Sequence, residues 1–177
     1  KLFPIIPNFH NQSQRYKNFK KIEKKDKYNL KHKVIKEINF IKKRKKYFYI
    51  INELIKNKKI NITPIHNDPK YNNILVDSIN KKYICLIDLD TVMPGTILYD
   101  YGDAIRSIIL SCEEDESNLN NVKINIDKLV KFTEGFLLEV NDIISKEEKE
   151  LLYYSIIIIT QECGTRFLTD YLDNNKY

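Results

Sequence analysis

The segment that most constrains this chain is residues 66–90, HNDPKYNNILVDSINKKYICLIDLD. It begins with polar residues in the pattern His-x-Asp, followed five residues later by Asn. Residues 74–76 and 83–87 are apolar runs of strand length, and turn-forming residues separate them. This pattern predicts a β-hairpin. The hairpin would bring the polar start of the segment close to Asp88 and Asp90, which follow the second strand.

Asp68, Asn73 and Asp88 supply groups that phosphoryl transfer needs. In that chemistry, catalysis depends mainly on positioning and on Mg²⁺ held by an Asp and an Asn, while a second Asp takes the hydroxyl proton. Asp68 is the candidate base, and Asn73 and Asp88 offer the hard oxygen ligands that Mg²⁺ prefers. Isolated aspartates cap turns and helices in many proteins, so the ordered occurrence around one hairpin is the specific signal.

Two stretches, HNDPKYNNILVD and LIDLDTVMPGTILYDYGDAIR, resemble the catalytic and metal-binding segments of the aminoglycoside phosphotransferase and choline kinase superfamily. The second stretch, together with ECGTRFLTDYL near the end, is similar to the N-acetylhexosamine 1-kinase branch. The resemblance covers most of the chain but only the C-terminal lobe of the family fold. It departs at Pro69, where relatives usually have another residue; a proline there disfavours the α region for Asp68.

The resemblance implies a mainly α fold with a small β-hairpin (α+β), the C-terminal lobe of a protein-kinase-like phosphotransferase. The implied reaction transfers the γ-phosphate of ATP to the anomeric hydroxyl of an N-acetylhexosamine. Asp68 would orient and deprotonate that hydroxyl, and His66 would brace the loop. Asn73 and Asp88 would bind Mg²⁺ and, through it, the nucleotide.

Two further aspartates have supporting roles in this resemblance. Asp100 matches an aspartate that holds the catalytic loop in place, which is a structural task. Asp90 would bind a second metal ion or hydrogen-bond a nearby turn, and the sequence leaves both roles open.

We expect residues 1–177 to form one catalytic lobe. Only 4 glycines occur in the sequence, and it contains neither a Gly-rich loop nor a strand lysine with its helix glutamate, which clamp phosphates in kinases. The ATP-clamping N-terminal lobe is therefore expected on residues outside this chain. The 177 residues alone should fold without turning over substrate, and related chains also continue past Tyr177.

Apolar spacing predicts that most other segments are helical. An amphipathic helix is expected over residues 12–26, and a longer one over about 30–55. Residues 91–96 contain a Pro and a Gly and are expected to form a loop. Further helices are expected from about Leu98, over residues 127–140, and from 147 to about 172, the last beginning with a capping box of Ser145 and Glu148.

The last predicted helix carries Glu162, Arg166 and Asp170 at intervals of four residues, hence on one face. These residues form either an ion ladder that supports the helix or a contact surface for the acceptor sugar. In the second interpretation, Arg166 would bind sugar hydroxyls or the N-acetyl carbonyl beside Asp68. Gly164 favours that interpretation, because a mid-helix glycine costs about 0.8–1 kcal/mol relative to Ala and would be compensated by a close backbone approach.

Charge is distributed unevenly along the chain. Residues 1–60 contain 19 Lys and Arg against 4 Asp and Glu, giving +15, and residues 61–177 contain 11 against 20, giving −9; the sum is +6. A basic half attracts nucleic acid or anionic nucleotides. It lacks the interleaved aromatic and arginine residues of nucleic-acid binders, so solvated helix faces are the preferred interpretation and no nucleic-acid partner is expected.

We expect no membrane partner, because the apolar run at residues 151–159 is shorter than the about 20 residues of a membrane span. Three scattered cysteines without a Cys-x-x-Cys pair predict reduced thiols in a cytoplasmic protein. The expected partners are a sugar, a nucleotide and the N-terminal lobe.

Three alternatives remain open at the level of sequence. The chain could be a non-catalytic, kinase-like binding or regulatory module. The acceptor could be choline, an aminoglycoside or homoserine. Finally, Asp68, Asp88 and Asp90 could serve a metal-dependent hydrolase.

Overall fold

The computed structural model describes residues 2–112 and 116–176. These residues divide into two compact units. The first unit contains residues 2–6 and Ile60–Ile156, and the second contains Pro7–Lys59 and residues 157–176. The described chain is mostly helical with two small antiparallel sheets, which confirms the α+β expectation.

The element bounds are as follows. The α-helices are α1 (Gln12–Lys25), α2 (Ile35–Lys43), α3 (Ile50–Lys56), α4 (Ile97–Ile108), α5 (Ile126–Val140) and α6 (Lys146–Leu172). The strands are β1 (Thr63–Ile65), β2 (Ile74–Val76), β3 (Tyr83–Leu86) and β4 (Met93–Gly95).

The predicted hairpin is present in the first unit as β2 paired with β3. Ile74 pairs with Leu86, and the register shifts between Leu75 and Val76. In the turn, the carboxylate of Asp77 accepts hydrogen bonds of 2.8 Å from the N–H groups of two following residues. The two apolar runs and the turn-forming residues between them were therefore sufficient to predict this element.

The second sheet, β1 paired with β4, corrects the expectation that residues 91–96 form a loop. Thr63 pairs with Gly95 and Ile65 with Met93. Pro64 and Pro94 face each other across the pair, and a two-stranded sheet tolerates them because both of its strands are edges. The Pro and Gly that predicted a loop thus lie inside a short strand.

Aromatic packing joins α4 to α5 in the first unit. The ring of Tyr101 lies 4.9 Å from that of Phe136 and 6.1 Å from that of Phe132, measured between centroids. The Tyr101 hydroxyl and Thr133 Oγ1 are 2.8 Å apart. Each helix begins with a capping side chain: Thr96 for α4 and Asn125 for α5.

The capping box at the start of α6 is confirmed. The Ser145 N–H donates to Glu148 Oε2 at 2.9 Å, and the Glu148 N–H donates to Ser145 Oγ at 3.1 Å. Glu148 is buried and also accepts from the backbone N–H and the side-chain Nδ2 of Asn61, at 3.0 and 3.3 Å. The Thr96 hydroxyl lies 3.5 Å from the same carboxylate.

The second unit has its own apolar core. The rings of Tyr16 and Phe48 stack with centroids 4.8 Å apart. The other buried members come from α1, α2 and the end of α6; they are Phe19, Ile38, Ile41, Leu168 and Leu172.

The long helix expected over residues 30–55 is interrupted. The structure has 3₁₀ turns at Lys31–Val34 and Lys45–Phe48, with α2 between them and α3 after them. Five consecutive cations occupy residues 42–46, and like charges four apart destabilise a helix. The aromatic residues 47–49 that follow are weak helix formers. No helix in the described parts of the chain is long and apolar enough to cross a bilayer.

Candidate functional site

Asp100 holds the backbone of the polar loop that joins β1 to β2. Its two carboxylate oxygens accept hydrogen bonds of 2.7 Å from the N–H groups of His66 and Asn67. Asp100 lies in the first turn of α4, where the helix dipole favours a negative charge. The structural role expected for Asp100 is confirmed by these contacts.

The ring of His66 joins the loop to the end of β3. Its Nε2 lies 3.0 Å from the carbonyl oxygen of Ile87, and its Nδ1 lies 3.3 Å from the backbone N of Asp68. A carbonyl only accepts and an N–H only donates, so these contacts require a neutral ring with its proton on Nε2. In that state His66 braces the backbone at Asp68.

Asp68 is surrounded by polar side chains from its own loop. Lys70 Nζ lies 2.7 Å from Asp68 Oδ2, and the Asp68 side chain is about a quarter exposed at 26%. Asn73 Nδ2 donates to the Asp68 carbonyl at 2.8 Å and lies 3.4 Å from Oδ2. The hydrogen bond with Asp68 raises the pKa of Lys70 above its ordinary value; burial opposes this, and the charges of Asp88 and Asp103 add to it.

Asn67 connects the loop to the segment after β3. Its Nδ2 donates to the carbonyl of Thr91 at 3.0 Å, and the Thr91 hydroxyl donates to the carbonyl of His66 at 2.7 Å. The backbone of Asn67 has a φ of 69°, a left-handed conformation that Asn tolerates better than most residues. Gly95 packs closely against Ile65, next to Asn67: a Cβ at Gly95 would overlap Ile65 Cδ1.

A backbone hydrogen bond at the end of the hairpin places Asn73 beside the residue that precedes Asp88. The N–H of Ile87 donates to the carbonyl of Asn73 at 2.9 Å, so Asp88 follows directly after a residue bonded to Asn73. Asp88 is exposed and has a φ of 64°. A hydrogen bond with Asp90 and the repulsion from its charge raise the pKa of Asp88, an effect that Lys70 partly offsets.

These carboxylates fit a magnesium ion as a partial ligand set. Within residues 2–112 and 116–176, no group of three or more His, Cys, Asp or Glu side chains is arranged to hold a metal. Mg²⁺, however, is commonly bound through one or two carboxylates plus water and substrate phosphates. Asp88 and Asp90 are such a pair, and the hydrogen bond and like charge of Asp90 that raise the pKa of Asp88 show that the two carboxylates lie close together.

The model of the phosphotransferase enzyme family (APH) matches residues 5–122, which is 118 of the 177 residues. The chain belongs to the phosphotransferase enzyme family. The matched region contains Asp68, Asn73, Asp88 and Asp90. It ends before α5, so the predicted acceptor residues of α6 lie outside it.

In this phosphotransferase, Glu162 has a buried position in the second unit. It accepts from Arg15 Nε at 2.5 Å and from Gln12 Nε2 at 2.7 Å, and His10 Nδ1 lies 3.2 Å away. Burial raises the pKa of Glu162, but the hydrogen bonds and charges of His10 and Arg15 outweigh it and lower the pKa overall. These are the contacts of a structural carboxylate, and a role for Glu162 toward substrate stays a prediction.

The other two residues of the predicted face differ from Glu162 in burial. Arg166 is exposed, with its guanidinium 5.3 Å from the centroid of the Phe167 ring, and Asp170 is partly buried. Apart from its own helix backbone and chain neighbours, no described atom lies within 4 Å of a Cβ added at Gly164. No other part of the described protein therefore requires this glycine, and a close approach of the acceptor at this position stays a prediction.

Sequence reasoning missed two residues that lie in the candidate site. Lys70 contacts Asp68 directly, and its position two residues after the candidate base, with a proline between them, was the available signal. Asn67 ties the loop to Thr91. The sequence signal for Asn67 is weak, because a single Asn in a polar segment is also typical of an ordinary turn.

Proposed function

We propose that this phosphotransferase transfers the γ-phosphoryl group of ATP to a sugar hydroxyl, and that the acceptor is the anomeric hydroxyl of an N-acetylhexosamine. The observation that carries the proposal is the connected set Asp68, Asn73 and Asp88. Asn73 is bonded to Asp68 through its side chain and to Ile87, next to Asp88, through its backbone. These contacts support the proposal because they connect the proposed base to the proposed metal ligands, and positioning is the main requirement of phosphoryl transfer.

In the proposed reaction, Asp68 accepts the proton of the acceptor hydroxyl as the O–H bond breaks. The acceptor oxygen forms a bond to the γ-phosphorus, and the bond from that phosphorus to the β,γ-bridging oxygen breaks, so ADP leaves. His66 and Asp100 hold the loop in position through the contacts described above. Lys70 bonds to Asp68 Oδ2, which leaves Oδ1 as the atom to receive the proton.

Asp88, the side-chain oxygen of Asn73 and, as a further ligand, Asp90 would hold Mg²⁺. Both hydrogen bonds from the Asn73 side chain use Nδ2, so Oδ1 is its candidate ligand atom. A bound Mg²⁺ would neutralise charge on the phosphates. Asp90 lies in a 3₁₀ turn, Leu89–Thr91, which also supports the alternative that it stabilises this turn.

The preference for an N-acetylhexosamine rests on resemblance and on the chemistry of α6. Arg166 is the exposed member of the face that also carries Glu162 and Asp170. Its planar set of donors suits hydroxyl and carbonyl oxygens. We propose that Arg166 contacts the acceptor, with Asp170 and Glu162 supporting it.

We further propose that an N-terminal lobe, on residues outside these 177, clamps ATP, that the 177 residues alone fold without turning over substrate, and that the protein is cytoplasmic. The support is the sequence, which contains only 4 glycines and no Gly-rich phosphate loop.

The test is an acceptor screen with the chain joined to its upstream segment. N-acetylglucosamine, N-acetylgalactosamine, choline, homoserine and an aminoglycoside are incubated with ATP and MgCl₂, and products are identified by ³¹P NMR. We expect an anomeric sugar phosphate, and none with Asp68→Asn. Phosphorylation of choline instead would overturn the sugar assignment, and ATP hydrolysis without transfer would favour the hydrolase.

A further inference from the structure

A cleft of about 700 Å³ lies in the first unit beside the polar loop. Its walls are the residues that follow Asp68, the C-terminal end of α4 and the first turns of α5. Its volume is within the about 300–1,000 Å³ typical of small-molecule sites. The side chains that matter here are Lys70, Tyr71, Arg106, Lys128, Lys131 and Phe132.

The charged side chains that line the cleft are positive, although the part of the sequence from which they come, residues 61–177, has a net negative charge. Residues 61–177 contain 11 Lys and Arg against 20 Asp and Glu, yet four of those 11 cations line this one cleft. No acidic residue is among its lining in the described part of the chain. Two of the cations, Lys70 and Arg106, are each paired with an aspartate at the edge of the cleft, so Lys128 and Lys131 supply the positive charge that a ligand would meet. Positive charge in a cleft concentrates counter-ions, so this part of the cleft suits an anionic ligand.

The structure holds two of these cations by ion pairs at the edge of the cleft. Arg106 donates from Nε and Nη2 to Asp103 Oδ1, at 3.0 and 2.8 Å, which fixes its guanidinium. Lys70 is fixed by Asp68 at 2.7 Å. Lys70 therefore belongs both to the candidate catalytic loop and to the wall of the cleft.

The other two cations lie at the start of α5. The backbone N–H of Lys128 donates to the capping residue Asn125 at 3.0 Å, so Lys128 is in the first turn, and Lys131 is three residues further along the same side. Both are exposed. The helix N-terminus adds partial positive charge at this point.

We propose that this cleft binds a hexose phosphate. Lys128 and Lys131 would bind the phosphate group, with Arg106 and Lys70 at the edge of the cleft, and the aromatic side chains of Phe132 and Tyr71 would contact the sugar ring. The side-chain amide of Asn72, which also lines the cleft, would bind a sugar hydroxyl. The proposal concerns binding alone and does not depend on the phosphoryl transfer proposed above.

The test is isothermal titration of the protein with glucose 6-phosphate, without nucleotide or magnesium, so its outcome is independent of kinase activity. Inorganic phosphate and glucose are titrated separately at the same ionic strength. We expect glucose 6-phosphate to bind at least fivefold more tightly than either. The double variant Lys128→Gln/Lys131→Gln should weaken this binding at least fivefold.

The matched control is Lys81→Gln/Lys82→Gln, which removes the same charge from the exposed β2–β3 turn, away from the cleft. It should change the affinity less than twofold, and both double variants should unfold at the wild-type temperature. Absence of wild-type binding, a loss below fivefold in the cleft variant, or an equal loss in the control would overturn the proposal. Inorganic phosphate binding as tightly as glucose 6-phosphate would also overturn it, because the sugar ring would then contribute nothing.

Discussion

The carboxylate of Asp100 accepts a 2.7 Å hydrogen bond from the backbone N–H of His66, 34 residues earlier in the chain. A second bond of equal length, from Asn67, uses the other oxygen. Hydrogen bonds to charged groups contribute about 1.5–3 kcal/mol each. Because Asp100 is only partly buried, we expect Asp100→Ala to lower the free energy of unfolding by about 2–4 kcal/mol, measured by denaturant titration. Asp142→Ala, at an exposed turn, is the control and should change it by less than about 0.5 kcal/mol.

Changing Asp68 or Asp88 to Asn should impair different steps, catalysis for Asp68 and nucleotide binding for Asp88. With the ATP-clamping segment present, Asp68→Asn should lower kcat by ~10²–10⁴, as expected for loss of a general base, and leave nucleotide affinity nearly unchanged. Asp88→Asn should abolish magnesium-dependent nucleotide binding. Asp77→Asn, in the hairpin turn, serves as the control. Equal loss of nucleotide binding in both site variants would refute this division of roles.

Arg166→Lys keeps the charge of Arg166 but removes its planar donors. If Arg166 contacts the acceptor, the KM for the sugar should rise while the KM for ATP stays constant, measured by steady-state kinetics. Lys149→Gln, on the earlier part of α6, is expected to change neither value. An unchanged sugar KM would assign Arg166 to helix support alone.

Gly95 and Gly164 should respond in opposite directions to substitution by Ala. At Gly95 the new Cβ would lie 2.4 and 2.9 Å from atoms of Ile65, and such overpacking typically costs about 1–3 kcal/mol. At Gly164 the space is open, and the helix should gain about 0.8–1 kcal/mol. Thermal and denaturant unfolding of the two variants check both signs; a stabilised Gly95→Ala would show that Ile65 relaxes without cost.

Glu162 should make stability depend on pH in the acid range. Its pKa is lowered in the folded protein from an ordinary value of 4.5, so its contribution is complete above about 4.5 and is lost as the pH falls through the lower folded value. We expect Glu162→Gln to lower the free energy of unfolding by about 1–3 kcal/mol at pH 7, and by much less at pH 3. Glu139→Gln, on the exposed face of α5, should show no such change with pH.

The features that the sequence predicted correctly depend on neighbouring residues. The β2–β3 hairpin follows from two apolar runs and from turn-forming residues such as Asp77 between them, and the start of α6 follows from the Ser145 and Glu148 spacing. In each case the residues that decide the structure lie within about a dozen positions of one another, so their pattern is visible in the sequence.

The features that were missed depend on distant partners. The β1–β4 pair joins residues about thirty positions apart, and neither strand shows alternation. Arg15 forms an ion pair with the buried Glu162 across 147 residues, whereas the spacing in α6 suggested only local partners for Glu162. The break after α2 follows five consecutive cations at residues 42–46 and precedes Phe48, whose ring stacks on that of Tyr16. The regular apolar spacing over 30–55 did not distinguish this arrangement from a continuous helix.

The buried carboxylate of Glu148 bonds both to Ser145, three residues before it, and to Asn61, 87 residues before it. The first turn of α6 is thus completed by a segment that precedes β1. Because the Glu148 side chain makes both the capping bond to Ser145 and the long-range bond to Asn61, the amides in that turn should exchange with solvent only when the whole first unit opens. A helix end ordinarily frays within nanoseconds to microseconds, whereas the amides of this one would exchange only through that larger opening.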